Sequence, residues 1–184
     1  MSTIQTLMPA GPGRSRGKAA RPGATGSAQA DLGEFSGLGD ATALGDMVTA
    51  HLELPATLQS VGAARRFTEF VLGSWSIGVS ADDTKLIVSE LVANAVFAVS
   101  TARLGGGLTI ILALAVVPGL GLHIEVWDPV AAERDLEAIP PDPDLERGRG
   151  LFLVGELAAS WGQSHAPTGT RVWARLAPLC AAHS

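Results

Sequence analysis

Glu90 and Asn94 stand four positions apart in an otherwise apolar segment of the chain. Apolar residues recur at helical spacing through residues 80–101, so the two polar side chains are predicted to stack on one side of a helix. Asparagine is a mediocre helix former, and its amide is costly to bury without a hydrogen-bond partner. A carboxylate beside a carboxamide in such a helix therefore predicts a ligand for the pair.

The helix that must hold this pair has a recognisable start. Ser80 is predicted to be the N-cap, with Asp83 three positions later as an approximate capping box. Asp82 and Asp83 also suit the positive end of the helix dipole. The apolar positions behind them are Leu86, Ile87, Leu91, Val92, Ala95, Val96 and Val99.

Asp128 is a second candidate, at the end of a predicted strand over residues 122–127. Alternation along a strand places Asp128 on the same face as Leu122, Ile124 and Val126, where a carboxylate needs a specific donor. Asp-Pro pairs are common in turns, and the residues alone favour this simpler interpretation of Asp128-Pro129. Thr170 begins the apolar face of the last predicted strand, so both polar groups are predicted to point into the same layer.

A third candidate is Gly148-Arg149-Gly150, which opens an apolar helix at Leu151. Glycines at a helix N-terminus let an anion approach the N–H groups, although two glycines alone are also explained as a flexible entry to the helix. The spacing is not Gly-x-Gly-x-x-Gly, and no Gly-Lys-Ser/Thr follows. The sequence therefore predicts neither a Rossmann motif nor a P-loop.

The remaining pattern predicts the elements around these residues. A strand over 47–54, a helix from Thr57, a hairpin of 108–117 with 122–127, a mobile loop over Pro129–Arg147 and a hairpin of 160–165 with 170–176 follow in order. The other face of the two hairpins carries polar and aromatic side chains, which are explained either as tryptophans packed under long side chains or as a partner surface. They are Glu125, Trp127, Arg171, Trp173 and Arg175.

Length and composition fit one domain with an appendage, since 184 residues are 47% hydrophobic and 17% charged. We predict a disordered Gly/Pro/Ala-rich tail over 1–45, a domain over 46–178 and a short tail over 179–184. The net charge of −5 argues against direct nucleic-acid binding. One cysteine and four scattered histidines predict neither a disulfide nor a zinc site. The longest apolar run, Leu108–Val117, is too short to span a bilayer, so we expect a cytoplasmic protein with no membrane partner.

Taken in order, these features resemble the GHKL superfamily of ATP-binding domains, and within it the RsbW-like anti-sigma-factor serine kinases. The likeness covers about Met47 to Leu176. It rests on Ser89–Val96 (N box), Ile124–Pro129 (G1-like), Gly148–Val154 (G2), Gly169–Trp173, and Ala63–Phe67 with Trp75 beyond it. It implies an α+β fold of the Bergerat type: a two-layer sandwich with a mostly antiparallel mixed sheet and helices on one face.

The resemblance also implies roles for the candidates. Asn94 would ligate Mg²⁺ through its carbonyl oxygen, and Glu90 would orient or deprotonate the attacking hydroxyl or water. Asp128 would accept a hydrogen bond from the adenine amino group of ATP, with Thr170 beside it. The phosphates would be held by Gly148, Arg149, Gly150 and Leu151, and Pro129–Arg147 would be the lid.

The function implied is a regulatory serine kinase that uses ATP and Mg²⁺, phosphorylates an anti-anti-sigma (STAS) protein or sequesters a sigma factor, and can form a homodimer. Two departures from the family motivate a non-catalytic ATP-binding sensor as the alternative. Phe97-Ala98 stands where a basic or histidine-containing pair is usual, and Pro129-Val130 replaces a glycine-containing turn. A histidine-kinase fragment is not predicted, because no dimerising phospho-acceptor helix pair precedes the domain.

Overall fold

A computed structural model describes residues 4–7, 48–102, 107–131 and 149–178, with side chains from residue 48 onward. From residue 48 onward, strands and helices follow the predicted order. The described elements are β1 (Ile4–Leu7), β2 (Val48–Pro55), α1 (Gln59–Trp75), α2 (Ala81–Thr101), β3 (Thr109–Val117), β4 (Gly121–Asp128), α3 (Arg149–Leu157), β5 (Ser160–Ala166) and β6 (Gly169–Leu176).

The six strands form one sheet in the order β1-β2-β3-β4-β6-β5, and the three helices pack on one of its faces. This confirms the predicted α+β two-layer sandwich. Every pairing between the described strands is antiparallel, so the described sheet contains none of the parallel pairing that a mixed sheet would have. The chain crosses from β4 through α3 and β5 before β6 returns beside β4, which brings the ends of β4 and β6 together.

The core lies between α2 and the central strands. Leu112 and Leu114 of β3 and Ile124 of β4 are fully buried on the helix-facing side, against Ile87 and Leu91 of α2. Full burial of each such side chain contributes about 1.5–3 kcal/mol. The helix that carries Glu90 and Asn94 is therefore held in the hydrophobic core of the domain.

The N-terminus of α2 has the predicted cap. The backbone N–H of Asp83 donates to Ser80 Oγ at 3.2 Å, and the Thr84 hydroxyl donates to the Ser80 carbonyl at 2.6 Å. Asp82 also pairs with Lys85 at 3.0 Å. The hydrogen bond and charge of Asp82 raise the pKa of Lys85 above its ordinary value.

By length and composition alone, α2 could cross a membrane. In the fold, however, 56% of its most apolar stretch is buried, between α1, α3 and the sheet. The apolar character of α2 is thus accounted for by its place at the centre of the core.

The predicted disordered tail is wrong for four of its residues. Ile4–Leu7 forms β1 and pairs with β2 in the register Ile4 to Leu52 and Leu7 to Thr49. A short β-prone segment gains backbone hydrogen bonds when it lies against the otherwise unpaired edge of β2. The rest of the 1–45 segment, and the tail 179–184, lie outside the described residues, so their predicted disorder stays a prediction.

Candidate functional site

Glu90 lies against the start of α3. A Cβ added to Gly150, the second residue of that helix, would lie 3.2 Å from Glu90 Cδ and still closer to Oε2. Only a glycine leaves room for the carboxylate in this position. The packing of α2 on α3 therefore joins two sequence candidates that are 60 residues apart, at a helix end whose first N–H groups have no intrahelical partner.

Asn94 lies one turn beyond Glu90 on α2 and is half-buried. Its Nδ2 is shielded from solvent and has no hydrogen-bond partner within the described ranges. Leaving a buried amide nitrogen unpaired costs about 1–3 kcal/mol. An amide held in this way is suited to a ligand that supplies the missing contacts, as the sequence predicted.

Asp128 ends β4 with its side chain only 1% exposed. Its Oδ1 accepts from the backbone N–H of Val130 at 2.9 Å, which closes a turn over Pro129. Both interpretations of this aspartate thus hold, since it begins a turn and also projects into the helix-facing layer. A carboxylate has about four acceptor positions, and this turn uses one of them.

Thr170 lies directly opposite Asp128 in the pairing of β4 with β6 and is fully buried. Its hydroxyl donates to the Val130 carbonyl at 2.8 Å. Gly169 before it has a φ of +153°, and a Cβ there would overlap the Asp128 carbonyl and lie 2.8 Å from Trp127 Nε1. The Gly-Thr pair is therefore needed for β6 to come so close to the end of β4.

The first residues of the predicted lid are part of this site. Val130 is buried, and both its N–H and its carbonyl are engaged, by Asp128 and Thr170. The prediction of a mobile loop from Pro129 onward is therefore wrong for Val130. Residues 132–148, with most of the predicted lid and Gly148, lie outside the described residues.

His165 is a site residue that the sequence analysis missed. It lies on β5 opposite Thr170, and its Nδ1 is 3.1 Å from Thr170 Oγ1. The signal for it was the two-residue loop Pro167-Thr168, which fixes the register of the hairpin and sets position 165 against position 170.

The structure assembles most of the candidates in two clusters. Glu90 and Gly150 meet at the α2–α3 contact, and Asp128 and Thr170 meet at the ends of β4 and β6. α2 connects the clusters because it packs on α3, β4 and β6. The two other described candidates at the start of α3 differ in exposure: Arg149 is exposed, whereas Leu151 is half-buried against the core.

The opposite face of the sheet carries the polar and aromatic side chains expected there. His123 lies 3.6 Å from Glu125, and Glu125 lies 3.5 Å from Arg171. The His123 ring stacks on Trp173 at 5.8 Å between centroids, and the Arg175 guanidinium lies 5.9 Å from the same indole. These contacts agree with the packing interpretation of this face, while a partner surface stays a prediction.

The chemistry of the two clusters is complementary. A helix start opened by glycine suits phosphate groups, and a carboxamide offers a hard oxygen to a divalent cation. A buried carboxylate with a hydroxyl on the neighbouring strand suits the amino edge of a base. On a two-layer α+β sandwich, two clusters of this chemistry are typical of nucleotide-binding domains of the Bergerat type.

The comparison with known families agrees. The family model of the histidine kinase-like ATPase domain matches residues 54–176. This match spans more than half of the chain, and the chain belongs to that GHKL-type, ATP-binding family. A search of curated proteins gives no match.

Proposed function

We propose that this chain is an ATP- and Mg²⁺-dependent regulatory serine kinase of the anti-sigma type. Its substrate would be a serine on an anti-anti-sigma (STAS) protein, and in another state it would sequester a sigma factor, as a monomer or as a homodimer. The observation that carries the proposal is the placement of the Glu90 carboxylate against Gly150 at the start of α3. This is where a carboxylate must lie to act beside a phosphate held by the helix end.

The residues present fit the nucleotide. Asp128 and Thr170 would hold the adenine, and the first turn of α3, with Arg149 and Gly150, would hold the phosphates. Asn94 would contribute an oxygen ligand to Mg²⁺, which keeps most of its coordination sphere for water and phosphate. The nucleotide, when bound, supplies the phosphoryl group that is transferred.

The protein's own part in the reaction is positioning and proton transfer. Glu90 would accept the proton of the substrate serine as the hydroxyl attacks. The N-terminus of α3 would stabilise negative charge on the phosphates. Phosphoryl transfer depends mainly on positioning and charge stabilisation, so few residues suffice. The packing of α2 fixes Glu90 and Asn94 one turn apart for this purpose.

A non-catalytic ATP sensor is the second candidate, and Phe97 favours it. This side chain is 49% exposed near the end of α2 and carries no proton or charge. It stands where the family usually has a basic or histidine-containing pair. A sensor would bind ATP and change its affinity for a protein partner without transferring phosphate.

The test is phosphoryl transfer from labelled ATP, with Mg²⁺, to candidate STAS proteins, run beside calorimetric titration of ATP with and without Mg²⁺. Glu90→Ala is expected to abolish transfer and to leave the fold intact. Glu156→Ala, which removes an exposed carboxylate from α3, is the matched control and is expected to transfer at the wild-type rate.

The outcomes separate the candidates. Transfer that is lost in Glu90→Ala and kept in Glu156→Ala supports the kinase. Binding of ATP with no transfer to any STAS protein supports the sensor, which would then be sought as ATP-dependent capture of a sigma factor. No binding of ATP would contradict both.

A further inference from the structure

His165 is outside the residues assigned above to binding or catalysis, yet it contacts the base-binding cluster. It lies on β5, which borders the sheet next to β6, and its side chain is exposed. Its Nδ1 is 3.1 Å from Thr170 Oγ1. One exposed histidine thus reaches a hydroxyl that is itself fully buried.

The hydrogen bonds of Thr170 determine the direction of this contact. A hydroxyl has one hydrogen and two acceptor positions. Thr170 Oγ1 donates its hydrogen to the Val130 carbonyl at 2.8 Å. His165 must therefore be the donor, which requires the hydrogen to be on Nδ1.

With one hydrogen donated and one bond accepted, a single acceptor position remains on the Thr170 oxygen. We propose that His165 is a positioning residue for base recognition, which holds the Thr170 oxygen in place as an acceptor and so strengthens the preference of the pocket for a purine with a 6-amino group over a 6-keto purine. This inference rests on the ATP binding of the proposed function and adds a determinant of base choice to it.

The physical reason is the cost of a mismatched polar contact. Asp128 and Thr170 together present acceptors, which match the amino group of adenine and oppose the keto oxygen of hypoxanthine. His165 and Val130 together hold the Thr170 oxygen, with its remaining acceptor position directed at the base. Without His165, one contact instead of two holds this oxygen, and its acceptor position is less well aligned with the amino group. Loss of His165 should therefore weaken the preference for adenine while the melting temperature changes little.

The experiment measures the dissociation constants of ATP and inosine triphosphate by calorimetric titration of the full chain. The ratio of interest is the constant for inosine triphosphate divided by the constant for ATP. In His165→Ala, the ratio of the two dissociation constants is expected to move toward unity by about three- to tenfold, the range of one neutral hydrogen bond. His165→Asn places an N–H donor at the same number of bonds from Cα as Nδ1. It is expected to restore the ratio to within about twofold of the wild type.

A mutant cycle with Thr170 tests the route of the effect. His165 acts through the hydroxyl, so His165→Ala should change the ratio in the wild-type background and leave it unchanged in a Thr170→Val background. His51→Ala, on β2 and on the other face of the sheet, is the control, and its ratio should equal that of the wild type. The melting temperature of each variant identifies any loss of folding.

Each result has one meaning. A lowered ratio in His165→Ala with rescue by His165→Asn supports the inference. Wild-type ATP binding with an unchanged ratio in His165→Ala overturns it and leaves the proposed function standing. Equal effects of His165→Ala in both Thr170 backgrounds also overturn it. Absence of ATP binding by the wild type overturns the proposed function and this inference together.

Discussion

Replacement of Gly150 by alanine is the sharpest test of the α2–α3 contact. The added methyl group would overlap Glu90 Oε2 and lie 3.2 Å from Cδ. The overlapped atoms are the far end of a flexible side chain. The carboxylate can therefore move aside while the two helices stay in place.

The expected cost to folding is small. To reach an ordinary contact distance the oxygen must move by about 1 Å, and an off-rotamer side chain costs about 0.5–1.5 kcal/mol. Alanine in place of glycine in a helix gains up to about 1 kcal/mol. The free energy of unfolding should therefore change by less than about 1 kcal/mol.

The expected cost to function is large. A misplacement of about 1 Å in a catalytic group can lower a rate by about 100-fold. Gly150→Ala should therefore lower phosphoryl transfer by roughly that factor, comparable to the loss in Glu90→Ala. Single-turnover kinetics measure the rate of phosphoryl transfer, and urea denaturation measures the free energy of unfolding.

The control is Gly73→Ala, on α1, where an added Cβ meets nothing within 4 Å. It should leave transfer unchanged. Transfer by Gly150→Ala at the wild-type rate would refute the argument that Gly150 makes room for Glu90. Destabilisation by more than about 3 kcal/mol would show instead that the carboxylate cannot move.

Three further predictions concern the rest of the site and its support. Asp128→Asn should keep the fold but weaken ATP binding about 10- to 100-fold in calorimetry, because a hydrogen bond to a charged group contributes about 1.5–3 kcal/mol; unchanged affinity would exclude this carboxylate from base binding. Gly169→Ala should lower the free energy of unfolding by about 3 kcal/mol or more in urea, because of backbone overlap and a positive φ. Gly107→Ala is its control, because Gly107 has a φ of +85° with nothing near an added Cβ and so measures the cost of φ alone. Equal losses of unfolding free energy in the two variants would contradict a contribution from the overlap with the Asp128 carbonyl. Ser80→Ala should cost about 1 kcal/mol by loss of the α2 cap, whereas Ser74→Ala, at an exposed position of α1, should be nearly neutral; the same urea assay compares them.

The parts of the site that local patterns control were predictable from the sequence. The cap at Ser80 and the stacking of Glu90 with Asn94 follow from helical spacing within 15 residues. The inward direction of Asp128 and Thr170 follows from alternation along each strand. Both sets of predictions are confirmed, because each depends only on the conformation of one element.

The parts that depend on contacts between distant segments were not predictable in this way. β1 was missed because its pairing with β2 joins segments more than 40 residues apart in the chain. The close approach of Glu90 to Gly150 follows from how α2 packs on α3, which no local pattern encodes. The role of Val130 was missed because it acts through its backbone, whose position the residue type does not reveal.

The turn after β4 shows that a departure from the family pattern need not weaken a site. In the sequence, the replacement of a glycine-containing turn by Pro129-Val130 was one of the two departures that motivated the sensor alternative. In the structure, the Val130 N–H binds the Asp128 carboxylate and the Val130 carbonyl binds the Thr170 hydroxyl. Proline fixes its own φ, so less backbone entropy is lost when this turn is ordered. One peptide segment therefore holds the side chains of Asp128 and Thr170 in place, and the departure favours pre-organisation of the proposed base pocket. The choice between kinase and sensor then depends on Phe97, which stands where the family usually has a basic or histidine-containing pair, and measurement of phosphoryl transfer decides it.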